Sequence, residues 1–351
     1  MSLFSIRTLI LGLTVVAVSS VAAQSDWSQW RGPNRDGKIA SAEWPNSLGS
    51  YLLTKQWSVD LAEGYASPVV SDSVVISVET RGKREEVVRA FERSSGKQLW
   101  EHVAQGAMKV PFFAAKNGSW ARSTPATDGE FVYVLSMVDV LTCLEVETGR
   151  VIWELDFKTR EGTGVPSFGG VSSPMIDGDF LYVQGGSAAT KLERSSSKNL
   201  WRVMEDRRGM FGGSFCFEVD KRADGFIVEM LWRDKRLEGY MSSPVAIDGY
   251  LYHHGRDKKL HCLNFETGEV KWVSERKFGD YWSMVVNGSK VLALDQNGTL
   301  LLFNASPTSF NVLDERSISE DPTWAHLAVS GEQLFVRSLK GMSAYSWIAD
   351  S

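Results

Sequence analysis

The stretch CLEVETGRVIW (143–153) is written again, nearly letter for letter, as CLNFETGEVKW (262–272). Two fainter copies stand at AFERSSGKQLW (90–100) and KLERSSSKNLW (191–201). Each copy is an apolar-rich strand end, a polar turn and a short strand that finishes in Trp. The Gly of ETG and SSG supplies the positive φ that a tight strand connection needs. SSSK puts Ser197 in that place, so its turn is expected to differ. One object, a β-hairpin, is made four times.

A second element precedes the first. ASPVVSDSVVISV (66–78), STPATDGEFVYVLSM (123–137), SSPMIDGDFLYVQGG (172–186) and SSPVAIDGYLYHHG (242–255) each join two apolar runs through Asp-Gly or Asp-Ser. Those are turn residues between strands, and Asp128, Asp177 and Asp248 read as carboxylates capping their own backbone. Proline at the start of the first run fits a strand edge, where no ladder N–H is lost. Joined, the two elements give four strands per repeat. YWSMVVNGSKVLALDQNGTLLLFNASPTSFNVLDE (281–315) follows the same frame with Val312 in the Trp region. WAHLAVSGEQLFVRSLKGMSAYSWI (324–348) supplies three strands, and YLLTKQWSVD (51–60) offers the missing fourth. GGSFCFEVDKRADGFIVEMLW (212–232) reads as a compact or damaged unit. Four short strands are marginal alone, and stacking neighbours around an axis buries both faces of each sheet. The expectation is an all-β chain folded as a single β-propeller of four-stranded blades over 51–348, closed by an N-terminal strand that removes free edges. Trp57, Trp100, Trp153, Trp201, Trp232, Trp272 and the Val312 region count seven outer strands, with six or eight left open by the poor fourth unit.

The flanks set the compartment. Residues 1–23 carry one Arg, an apolar run from Leu9 to Val18 and a small-residue end at Ala22 and Ala23. That is a signal peptide with cleavage expected near Ala23, and its run is too short for a stable transmembrane anchor. The mature protein is expected to be soluble, in the periplasm or outside the cell. The formal charge of −5 becomes about −6 without Arg7, a solubility level of charge. Basic residues are scattered, which argues against nucleic acid. Cys143, Cys216 and Cys262 cannot all pair within one chain, and they read as small buried hydrophobes. Residues 24–50 form an irregular arm in which WSQWRGPNRDG (27–37) packs across the sheets, anchored by Trp27 and Trp30.

At these hairpins and Ser-Pro strands the chain resembles the pyrroloquinoline-quinone-like (PQQ-like) β-propeller repeat family, over roughly residues 50 to 348. WSQWRGPNRDG is similar to the N-terminal signature of exported PQQ-like repeat proteins of planctomycete-type bacteria. The resemblance implies two occupations: quinoprotein dehydrogenases, and non-catalytic scaffolds such as the lipoprotein that assists outer-membrane β-barrel insertion. It also implies a structural role for Trp57, Trp100, Trp153, Trp201, Trp232 and Trp272, docking blade against blade.

A dehydrogenase needs a planar quinone on an indole, a Ca²⁺ with several oxygen ligands and a carboxylate base. The adjacent cysteines that methanol-dehydrogenase-like members carry are absent here, and no CxxCH haem motif exists. His253 and His254 fall on opposite faces of a strand, which breaks a simple ligand pair. No GxSxG, HExxH or Gly-rich phosphate loop occurs. No catalytic, cofactor or metal residue is therefore assigned. Aromatic residues do precede each inner strand, and in a propeller such positions gather at one face of the channel. Tyr65, Trp120, Arg122, Phe168, Phe211, Tyr240, His254, Arg256, Trp282, Trp324 and His326 form the candidate binding face, suited to a peptide or protein partner from the envelope or secreted pool. The expected function is a non-catalytic scaffold for protein interaction or envelope assembly. A PQQ- and calcium-dependent oxidoreductase and a carbohydrate-binding propeller are the alternatives.

Overall fold

The computed structural model describes residues 26–82, 84–203, 214–222, 225–234, 237–239 and 241–347. The expected signal peptide and its cleavage point lie outside the described residues, as do the face candidates Phe211 and Tyr240. Among the described residues strands dominate, joined by one 3-10 helix, Phe112–Asn117, and one short α-helix, Phe157–Glu161.

Among the described residues the strands pair into seven sheets, five of them four-stranded. The first runs Val69–Val70, Val74–Arg81, Glu85–Glu92, Gln98–Gln105. The second runs Ala126–Thr127, Phe131–Leu135, Val140–Glu145, Val151–Asp156, and the third Met175–Asp177, Phe180–Gly185, Ala188–Glu193, Asn199–Val203. The fourth is a two-stranded hairpin of Ser214–Arg222 and Gly225–Asp234, the compact unit expected from the sequence. The fifth contains Val245–Ile247, Tyr250–His254, Leu260–Asn264 and Val270–Val273. The sixth contains Tyr281–Asn287, Lys290–Asp295, Thr299–Asn304 and Asn311–Ser317, with Lys38–Ile39 and Met241–Ser242 added in parallel to its first strand. In the seventh, Leu53–Asp60 from the N-terminal side pairs antiparallel with Gly341–Trp347, in register from Leu53 opposite Trp347 to Asp60 opposite Gly341. The chain is all-β, and its sheets are those of a β-propeller architecture.

Middle strands such as Lys290–Asp295 are buried at every residue, because both faces of the sheet are covered. Last strands such as Gln98–Gln105 are largely open to solvent. The repeated Trp lies in such a strand, and its partner is small everywhere except at Trp201, which stands opposite Lys191. Trp57 faces Ala344, Trp100 Ala90, Trp153 Cys143, Trp232 Cys216 and Trp272 Cys262, each beside a register shift. The β-bulge re-aims the indole. All three cysteines thus sit under an indole, free and buried.

Five of these indoles then reach the neighbouring sheet. Trp57 Nε1 donates to Arg93 O at 2.9 Å, Trp100 Nε1 to Val146 O at 2.7 Å and Trp153 Nε1 to Arg194 O at 3.2 Å. Trp232 Nε1 donates to Phe265 O at 2.8 Å, and Trp272 Nε1 to Ser306 O at 2.7 Å. Trp201 is 42% exposed and lies 6.0 Å from the Tyr182 ring of its own sheet. The turn glycines explain themselves at these contacts. A Cβ on Gly96 would come within 2.7 Å of the Trp57 ring, and one on Gly149 within 2.5 Å of Trp100. Ser197, with φ 57, holds the same left-handed turn in the third sheet.

The inner ends of the sheets are joined by hydroxyls. His326 N donates to Ser67 Oγ at 2.7 Å, Ser67 N to Thr124 Oγ1 at 3.0 Å, and Thr124 N to Ser173 Oγ at 3.0 Å. The residue before each Pro is therefore the stitch from the seventh sheet through the first and second to the third.

Candidate functional site

The N-terminal arm runs along the inner strands of several sheets. Trp27 N and O bond Val70 of the first sheet at 3.0 Å, and Ser28 O accepts from Thr127 N of the second at 2.8 Å. Gln29 Oε1 accepts from Ile176 N of the third at 3.1 Å, Arg31 Nη2 donates to Pro244 O at 2.6 Å, and Gly37 O accepts from Val286 N of the sixth at 2.8 Å. Trp27 and Leu48 are fully buried. The arm is a plug across the inner ends of the sheets rather than a loose leader, and its turns at Arg31 and Arg35 use positive φ values of 66 and 59.

Beside the plug lies a cavity of about 560 Å³. The arm gives it Trp30 and Arg35, and the Ser/Thr-Pro stitches give it Ser67, Thr124, Ser173 and Ser243. Asn117 and Gln184 add amides, while Tyr65, Tyr281 and Trp324 add aromatic faces. Tyr65 packs 5.4 Å from Trp324 and edge-on to Trp120 at 5.3 Å, and Trp324 lies 6.2 Å from Tyr281. The Tyr65 hydroxyl donates to Asn117 O, and burial pushes its pKa up to about 12.

Two guanidiniums enter this cavity. Arg35 lies 5.3 Å over the Trp30 ring and donates to Pro174 O at 3.0 Å. Arg122 lies 5.3 Å over the Tyr65 ring and donates to Gly118 O at 3.2 Å. Its Nε is buried with no hydrogen-bond partner. Burial pulls both guanidinium pKa values down, and for Arg35 the nearby charge of Arg31 acts the same way. No Asp or Glu is among the described residues lining the cavity.

Of the candidate face residues, Tyr65, Arg122 and Trp324 come together in this cavity. Trp120 backs Tyr65 and lines a separate hollow with Val110 and Phe112. Phe168 stands outside, 6.0 Å from the exposed Phe113. Arg256 is drawn to Glu238, 2.9 Å away. Three candidates are interior and correct the expectation of an open face. Trp282 and His254 are fully buried and stack at 5.8 Å, and His326 is 3% exposed, stacked 6.3 Å from Trp27. Strand alternation is the reason: in Tyr281–Asn287, Tyr281 points to the cavity and Trp282 to the core. Desolvation lowers the pKa of both His254 and His326 to about 4.

The residues present do not suit the calcium that accompanies a quinone in the dehydrogenases. Ca²⁺ takes several oxygens, carboxylates among them, whereas this cavity offers neutral hydroxyls and amides beside two cations. Among the described residues no group of three or more His, Cys, Asp or Glu is placed to hold a metal ion. No helix of the described residues is long and apolar enough to cross a membrane. Sequence reasoning missed Arg35, Ser67, Thr124, Ser173, Ser243 and Tyr281. The signal was present in the hydroxyl before each Pro, at the same place in four repeats.

Comparison with known proteins agrees with the fold. A family model described as outer membrane protein assembly factor BamB matches residues 83–347. The protein of that name from Yersinia pestis is 20% identical over 327 residues, 84% of this chain and 77% of its own. That from Escherichia coli K12 is 20% identical over 296 residues, 73% of this chain and 69% of its own. The quinohemoprotein alcohol dehydrogenase of Comamonas testosteroni superposes with a TM-score of 0.57 at 12% identity, over 93% of this chain and 81% of that one, a likeness of fold alone.

Proposed function

We propose, from the premise that the chain belongs to the PQQ-like repeat family described as outer membrane protein assembly factor BamB, that it is an exported, non-catalytic scaffold for protein interaction in envelope assembly. The scaffold is a seven-bladed propeller closed by Leu53–Asp60, with the fourth blade reduced and the repeated Trp residues docking neighbouring blades. After signal cleavage it works in the periplasm or outside the cell, without nucleic acid, and its partner is an envelope or secreted protein.

The observation that carries this reading is the chemistry of the axial cavity: aromatic faces, hydroxyls and two guanidiniums, with no acid among its described lining residues. General-base catalysis on an alcohol needs a group able to take its proton. Neither charged group here does that, since an arginine stays protonated. Recognition needs what is present, large rigid aromatic surfaces and forked donors.

The test has two arms. The mature protein is incubated with PQQ and Ca²⁺, passed through gel filtration and read by absorption; it is expected to emerge without quinone. In parallel, the chain is crosslinked in its native envelope, and a discrete protein partner is expected. Stoichiometric retained quinone would replace the scaffold by the oxidoreductase alternative, and capture of a glycan without protein would favour the carbohydrate-binding one.

A further inference from the structure

We infer that the axial cavity is a carboxylate-binding site, and that its ligand is an acidic side chain presented on a peptide segment. This rests on the scaffold reading and deepens it by naming the chemistry of the bound segment.

The argument is one of unbalanced charge. The chain as a whole has an excess of acids over bases, 43 against 38. Yet Arg35 and Arg122 both enter one cavity whose described lining contains no Asp or Glu. Their hydrogen-bond partners are neutral carbonyls: Pro174 O and Ser173 O for Arg35, Gly118 O for Arg122. Stacking on Trp30 and on Tyr65 covers one face of each guanidinium. Such stacking leaves the in-plane N–H donors for something else. One of them, Arg122 Nε, is buried and bonded to nothing. A partly buried cation without a counter-ion is costly, and an incoming carboxylate relieves that cost with charge-assisted, forked hydrogen bonds.

The remaining lining selects the carrier of the carboxylate. A cavity of about 560 Å³ is far larger than the carboxylate itself. Its hydroxyls and amides, Ser173, Ser243, Asn117 and Gln184, match the donors and acceptors of a peptide backbone. Tyr281 and Trp324 give apolar faces for flanking side chains.

The test uses the whole mature chain and two peptides, acetyl-Ala-Phe-Glu-Phe-Ala-amide and its Gln counterpart, titrated by calorimetry. The Glu peptide is expected to bind about 10-fold or more tightly than the Gln peptide, the worth of one charge-assisted contact. That preference is expected to shrink with added salt. In Arg35→Gln and Arg122→Gln, with folding checked by thermal unfolding, the two peptides are expected to bind alike. Because the first comparison uses the unaltered protein, a variant that fails to fold leaves the inference testable. Equal affinity for the two peptides, or no binding of either, overturns it. Inorganic phosphate displacing the Glu peptide at lower concentration than acetate would also overturn it, in favour of a phosphoryl ligand. The two readings fail separately. If the crosslinked partner persists while the peptides bind alike, the carboxylate site falls and the scaffold stands. If no partner crosslinks while the Glu peptide is selected, the site stands without the scaffold.

Discussion

Ser197 holds φ 57 in the turn where the other repeats have Gly96, Gly149 and Gly268. A left-handed conformation costs a residue with a Cβ about 1–2 kcal/mol, of which glycine's looser unfolded chain gives back less. Ser197→Gly is therefore expected to raise stability by about 0.5–1 kcal/mol in urea unfolding. Gly149→Ala is expected to lower it by about 1–3 kcal/mol, since its Cβ would strike the Trp100 ring. Titration belongs to this scale too. His254 and His326 have folded pKa values of about 4, below the ordinary 6.5. The unfolded chain takes their protons first, so stability is complete above pH 6.5 and is lost as pH falls towards 4, by roughly 3 kcal/mol for each. Glu86 slopes the other way. Buried under two bonds from Met137 N, it has its pKa raised from 4.5 to about 8. Its contribution is complete below 4.5 and is lost as pH rises through 8. Glu86→Gln is expected to flatten the fall between pH 4.5 and 8 while leaving the acid limb intact, read as urea midpoint against pH.

Between elements, the same small set of contacts recurs from sheet to sheet. Small residue, bulge, indole and neighbouring carbonyl form one unit on the outer side, and the hydroxyl before Pro forms another on the inner side. Trp100→Phe keeps an aromatic face but orphans Val146 O, with an expected cost of about 1–2 kcal/mol from the lost hydrogen bond. Ser67→Ala leaves the buried His326 N without its acceptor, and Thr124→Val does the same to Ser67 N. Each is expected to cost about 1–2 kcal/mol. Because Ser67 belongs to both bonds, the double variant is expected to depart from additivity by about 0.5 kcal/mol or more in a double-mutant cycle. Additive costs would mean that the stitches act independently.

For the molecule as a whole, the pairing of Leu53–Asp60 with Gly341–Trp347 decides whether the sheets form a ring or an open stack. Thr54 lies opposite Ser346 in that pair. Thr54→Cys with Ser346→Cys is expected to oxidise readily and to stabilise the chain by about 2–5 kcal/mol against its reduced form, given the long loop that the bridge closes. Failure to crosslink would remove the proposed closure. The arm belongs to this scale as well, because its plug reaches the inner strands of four sheets through Trp27, Ser28, Gln29 and Gly37, and Pro244, just ahead of the fifth sheet, through Arg31.

The repeat was legible because a strand pattern, a turn and a Trp are local features, written in order along the chain. The reduced fourth unit and the strand borrowed from the N-terminal side were legible for the same reason: each leaves a gap in a count. The cavity was half legible. Tyr65, Arg122 and Trp324 could be listed by position, but side-chain direction reverses with each residue of a strand, and that put Tyr281 into the cavity and Trp282 into the core. Arg35 stands far in sequence from every sheet residue it meets, so only the folded path of the arm brings it beside Pro174. The sequence by itself determined the all-β repeat, because strand pattern, turn and Trp are written locally along the chain. Tertiary structure alone decided which polar groups share one space with no acid among its described lining residues, because charge balance in a cavity depends on distance through space rather than on spacing along the chain.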